Sequence, residues 1–139
     1  MVFRAQQHSM QDKAQRMSST LLQLDELSSA KAKQAVNSIE ALHTTRAVIT
    51  DVQGYALYDS LEKGNAEEKL LLFPELVSAL RGNDVFYCRY EKDAIESRVA
   101  MPLVRNGKIM GTVYLMDYDT DQGALVSALQ VNILRISAA

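Results

Sequence analysis

Three side chains in the second half of this chain, Tyr87, Arg89 and Arg98, are of the types that hold an anion. Guanidinium groups donate in pairs to carboxylate or phosphate oxygens, and a phenol beside them adds a neutral donor. Whether they stand together depends on strand register, because side chains on paired strands share a face only at matching positions. A strand is expected over VFYCRYE, followed by a turn near Lys92-Asp93 and a second apolar run. With a two-residue turn, Arg89 lies opposite Glu96, Tyr87 opposite Arg98 and Phe86 opposite Val99. Tyr87, Arg89 and Arg98 then share a face with Glu96 and are the ligand-binding candidates. The same placement admits a plain structural reading, in which Arg89 pairs with Glu96 and Arg98 extends past Tyr87 at the sheet edge. The opposite face collects Phe86, Cys88, Tyr90, Met101, Tyr114 and Met116, as an apolar pocket or as core beneath a helix.

Other reactive residue types do not assemble into a site. Cys88 is the only cysteine, which rules out an intrachain disulfide, and a cysteine within a strand reads as a small buried hydrophobe. Asp117, Asp119 and Asp121 resemble the opening of a calcium-binding loop. Position six of that loop is Gln122 rather than Gly and position twelve is Ala128 rather than Glu, so a helix cap beside surface acids is the simpler reading. His8 and His43 lie far apart on one expected helix with no ligand at metal spacing. No catalytic residue, metal site or cofactor is expected.

The register rests on the stretch ESRVAMPLVRNGKIMGTVYLMD, residues 96–117. Asn-Gly between two apolar runs is the strongest short-range signal for a hairpin with a type I′ turn, which needs positive φ at both central residues. Counting outward from Asn106-Gly107 places Val104 opposite Ile109, Leu103 opposite Met110, Ala100 opposite Val113, Val99 opposite Tyr114 and Arg98 opposite Leu115. Apolar side chains then occupy both faces, as in a central hairpin covered on each side. Pro102 falls beyond the start of the neighbouring strand, where its missing N–H costs no ladder bond.

The remaining elements follow in order. Residues 4–42 contain no Pro or Gly and are rich in Ala, Gln, Leu, Lys, Met and Ser, which predicts one long helix. Such a helix spans roughly 55–60 Å, more than a compact domain needs. Met10, Met17 and Leu24, interleaved with Ala14, Leu21, Ser28 and Ala35, form a heptad seam interrupted by Lys31. Its first half is expected to pair with a second copy of the chain. Its second half, through Ala35, Val36, Ile39 and Leu42, is expected to pack on its own sheet. TRAVITDVQGYALYDS reads as two strands joined by an Asp-x-x-Gly turn. After a polar loop, LEKGNAEEK, come a short helix around residues 67–72 and a second helix beginning at Pro74, with Gly82 just past its end. Asp119, Thr120 and Asp121 offer cap chemistry for a last helix from about Gln122.

Composition bounds the function. The chain has 139 residues, 47% hydrophobic and 23% charged, and a net charge of −2. One globular domain with a real core fits these values. Lys and Arg are scattered rather than gathered into a stripe, which disfavours nucleic acid. No run of ~18 apolar residues is present. Val2-Phe3 at one end and VNILRISAA at the other give the expectation that membrane spans lie just outside the chain.

Helix, two strands, short helices, three strands and a final helix make an α+β fold of PAS or profilin-like kind, with a five-stranded antiparallel sheet. From about residue 35 to 121 the chain resembles the single-Cache, or PAS-like, extracytoplasmic sensor domains of membrane-bound two-component histidine kinases. The resemblance is carried by TRAVITDVQGYALYDS, FPELVSALRG and AMPLVRNGKIMGTVYL in that order. The elements and the heptad seam divide the chain into a long N-terminal signalling and dimerisation helix over 1–43, a sensor core over 44–121 and a C-terminal helix over 122–139, and the resemblance implies that the flanking helices lead toward membrane spans. It implies a non-catalytic domain that receives a small molecule or protein signal and relays it through its flanking helices to a cytoplasmic kinase. The alternative is a cytosolic roadblock or profilin-like interaction module, which shares the helix, the strand pair and the strand triplet.

Overall fold

Asn106 and Gly107 have φ of 54° and 76°, so the central turn takes the left-handed conformation that its two residues tolerate best. The computed structural model describes residues 2–24, 28–38, 45–60, 69–91 and 94–119. Two strands run out from that turn, β4 (Ala94–Arg105) and β5 (Lys108–Asp119). With β1 (Arg46–Asp51), β2 (Ala56–Asp59) and β3 (Val85–Glu91) they form a sheet in the order β2-β1-β5-β4-β3, and every pairing is antiparallel. This is the expected PAS-like α+β architecture. The pairing of β3 with β4 is the one read from the sequence, with Arg89 opposite Glu96, Tyr87 opposite Arg98 and Phe86 opposite Val99. Val85 meets Ala100, so Pro102 does lie beyond the start of β3.

The hairpin departs from the count made from its turn. Val104 faces Ile109 as expected, but the register shifts between Leu103 and Val104, so that Leu103 meets Gly111, Ala100 meets Tyr114, Val99 meets Leu115 and Arg98 meets Met116. Met110 is the extra residue of a β-bulge, which leaves one residue unpaired and changes the face of everything beyond it. Tyr114 and Met116 therefore leave the face of Phe86, Cys88 and Met101 and join that of Arg98.

Two layers cover the sheet. On one face Met10, Ala14, Met17, Leu21, Ala32 and Ala35 pack on Ala47, Ile49, Val99, Met101, Leu103, Val113 and Leu115. On the other, Leu71, Leu76 and Ala79 pack on Val48, Ala56, Ala100 and Tyr114. The expected single helix over residues 4–42 is two, α1 (Val2–Leu22) and α2 (Ser29–Ser38). The Ser28 hydroxyl accepts the Lys31 N–H and caps the start of α2, while the Arg105 guanidinium takes the Leu22 and Leu24 carbonyls at the end of α1. The heptad residues Met10, Ala14, Met17 and Leu21 are almost fully buried against the sheet of their own chain. The first half of the helix thus has a surface to pack on without a second copy. Its outward residues His8, Ser9, Asp12, Gln15, Arg16 and Ser19 are polar and exposed.

Between β2 and β3 the structure forms α3 (Pro74–Leu80). It begins at Pro74 and ends with Gly82 at φ 95°, where the Gly82 and Asn83 N–H groups donate to Ala79 and Ser78. The helix expected around residues 67–72 does not form over 69–72. There the backbone extends the edge of the sheet instead: Leu70 bridges Tyr55, Ala56 N–H donates to Lys69 at 2.8 Å, and Leu71 N–H donates to Gly54 at 3.0 Å. The Asp-x-x-Gly turn forms as read, its Asp51 carboxylate accepting the Gln53 and Tyr55 N–H groups. Residues 39–44, with Ile39 and Leu42 of the expected sheet-packing face, the turn residues 92–93 and the final helix from Gln122 lie outside the described residues, as does most of the loop over 61–69.

Candidate functional site

Alternation along three adjacent strands sends Arg46 of β1, Glu96 and Arg98 of β4, and Tyr114 and Met116 of β5 to the face that α3 covers. α3 reaches only part of that face. Phe73, Pro74 and Glu75 at its entrance form the opposite wall of a cleft of ≈ 270 Å³ floored by those five sheet residues.

Charge is concentrated there. Arg98 Nε and Nη2 donate to one oxygen of Glu96 at 3.2 and 2.9 Å, and Nη1 donates to Glu75 at 3.0 Å. Its guanidinium carbon also lies 5.2 Å from the centre of the Tyr87 ring. Hydrogen bonding to Glu96 raises the Arg98 pKa above its ordinary range; burial opposes this and Glu75 reinforces it. Arg46 makes a two-pronged pair with Asp59, its Nε donating at 3.0 Å, and its guanidinium carbon sits 5.1 Å from the Phe73 ring centre. Phe73 packs on Tyr114 at 5.5 Å between centroids. Burial pushes the Tyr114 phenol above the usual tyrosine pKa; Arg98 and Arg46 pull it down, and Glu75 and Glu96 push it up. Among the described residues the Tyr114 hydroxyl has no hydrogen-bond partner.

The three sequence candidates separate. Arg98 lines the cleft, Tyr87 lies beneath its guanidinium with 39% of its surface exposed, and Arg89 pairs with Glu96 at 3.2 Å outside the lining. The pairing of Arg89 with Glu96 is the contact the structural reading anticipated. Arg98, however, turns inward to two carboxylates. Sequence reasoning missed Tyr114 and Met116 because of the bulge. It missed Phe73 and Glu75 because FPELV carries only the signature of a helix start, and Arg46 and Asp59 because their contact joins strands across a turn. Cys88 lies on the opposite face, 3.7 Å from the Ser97 hydroxyl, and burial raises its thiol pKa. No cluster of three metal-ligating side chains occurs among the described residues.

No protein-family model and no curated protein matches this sequence. Solved structures do. The sensor domain of E. coli DcuS has a TM-score of 0.46 at 17% identity, over 70% of this chain and 67% of that one. The sensor domain of the V. cholerae histidine kinase DctB has a TM-score of 0.47 at 14% identity, over 88% of this chain and 59% of that one. Both neighbours are sensor domains. No described helix is long and apolar enough to cross a membrane.

Proposed function

We propose that this chain is a ligand-sensing domain of a membrane-bound sensor histidine kinase, placed outside the cytoplasm and joined to the membrane by segments beyond either end. The observation that carries this reading is the back-to-back arrangement of the cleft and α1. Arg98 and Tyr114 face the cleft, while their chain neighbours Val99 and Leu115 are buried against the α1 and α2 layer on the other side of the same two strands. A ligand in the cleft therefore acts on the same two strands on which the N-terminal helix rests. Signalling of this kind requires only that the ligand bind one arrangement better than the other.

In this role the chain binds and does not catalyse. The cleft offers donors, acceptors and aromatic walls, and Arg98 is the residue best placed to hold a ligand's polar group. A screen of small metabolites by thermal shift tests the reading, since a ligand that binds only the folded state raises the melting temperature. One chemical class is expected to raise it in the wild-type chain and not in Arg98→Ala. The absence of any stabilising class, together with a coding sequence lacking apolar spans on both sides of this chain, would overturn the proposal.

A further inference from the structure

Glu75 occupies an unusual position in the cleft. It is 9% exposed, and Arg98 Nη1 is its one partner among the described residues. Arg98 has more to hold it. Without Glu75 it keeps two hydrogen bonds to Glu96 and its place over the Tyr87 ring. Glu75 also sits on the seven-residue α3, whereas Arg98 is on β4, paired on both sides. If the contact between them opens, Glu75 is the partner that moves.

We infer that the Glu75 carboxylate is a resident competitor for the anionic group of the ligand, holding Arg98 until a monoanion replaces it and removes the charged tie between the first turn of α3 and the sheet. The inference rests on the ligand-sensing reading above and concerns how the same cleft is occupied. Exchange of one carboxylate for one singly charged anion leaves the charge of the cleft unchanged, whatever surrounds it. A dianion adds a second negative charge beside Glu96. A cation would have to displace Arg98 from Glu96, Glu75 and Tyr87 together. The Tyr114 hydroxyl, which has no partner among the described residues and stands in the cleft floor with Arg98, is a donor that Glu75 does not use. Replacement of Glu75 also gives the cleft a moving part, because Glu75 is the charged link between α3 and the cleft floor among the described residues.

A docked competitor lowers apparent affinity by the fraction of molecules in which the site is free. The test is a titration of the 139-residue chain with sodium methanesulfonate, and separately with methylammonium chloride, at constant ionic strength. Binding is followed through the amide shifts of residues 73–80 and the Arg98 Nε resonance. Glu75→Gln is expected to bind methanesulfonate at least about fivefold more tightly than wild type, which corresponds to Glu75 being docked about four-fifths of the time. No gain is expected for methylammonium, and Arg98→Ala should abolish the methanesulfonate response. If Glu75→Gln does not fold, Glu75→Asp, whose shorter carboxylate draws back from Arg98, should give a smaller gain. Equal or weaker methanesulfonate binding in a folded Glu75 variant overturns the competitor role, as does a response that survives Arg98→Ala. Failure of methanesulfonate to bind any variant also overturns it, while the sensing reading is decided separately by the metabolite screen.

Discussion

Tyr114 holds its phenolic proton beyond the pH at which a solvated tyrosine releases it, because burial penalises the phenolate more than the two arginines favour it. The folded state then keeps a proton that the unfolded state gives up. The contribution of Tyr114 to stability is complete below about pH 10 and is lost as pH rises through its folded-state pKa. Tyr58 and Cys88 are shifted in the same direction by burial, so the alkaline loss is shared. Tyr114→Phe keeps the ring against Phe73 and removes the ionisation. Urea midpoints measured from pH 8 to 11 should fall less steeply in this variant than in wild type, and parallel curves would assign the loss to the other two groups. Legibility at this scale followed distance along the chain. Arg98, Tyr87 and Glu96 could be brought together on paper because one short turn sets their register. Glu75 and Phe73 reach the same cleft through packing of α3 on the sheet, which no local pattern encodes.

Among the elements, α1 and β4 share the core and are also tied by the Arg105 side chain. Arg105 takes two backbone carbonyls at the end of α1, where a helix has unsatisfied acceptors and a partial negative charge. Arg105→Ala should cost about 1–3 kcal/mol in urea unfolding, the range for hydrogen bonds to charged groups and the acceptors they leave. Hydrogen exchange should quicken over residues 19–24 and stay unchanged at the centre of β5; uniform quickening would mean that the clamp supports the whole sheet. The break between α1 and α2 escaped the sequence reading because helix propensity runs through it, and Arg105, which terminates α1, lies far away in the chain. The turn at Asn106-Gly107, the entry at Pro74 and the exit at Gly82 were legible because each is set by its own residues.

At the scale of the molecule, the sheet is a partition with a packed helical layer on one side and a partly open cleft on the other. Met10 and Met17 are completely buried on the packed side. Met17→Ala should therefore destabilise the chain by roughly 2–5 kcal/mol in urea unfolding. A loss below about 1 kcal/mol would mean that α1 is dispensable to the fold and free to pair elsewhere. The overall α+β architecture was readable because the apolar runs on β4 and β5 require cover on both faces. What covers the packed side was not, since an apolar stripe on a helix reads the same whether a sheet or a second helix receives it.

The bulge at Met110 has a consequence for how this chain tolerates changes in length. Because Met110 has no opposite number, its removal leaves Ile109 across from Val104 and Gly111 across from Leu103, with each later residue facing as before. Loss of a residue between 112 and 116 instead turns the rest of β5 over, sending cleft side chains toward α1 and core side chains toward the cleft. Deletion of Met110 should thus give a folded protein with cooperative unfolding, whereas deletion of Val113 should not. The hairpin has one position at which a codon can be lost without exchanging its inside for its outside.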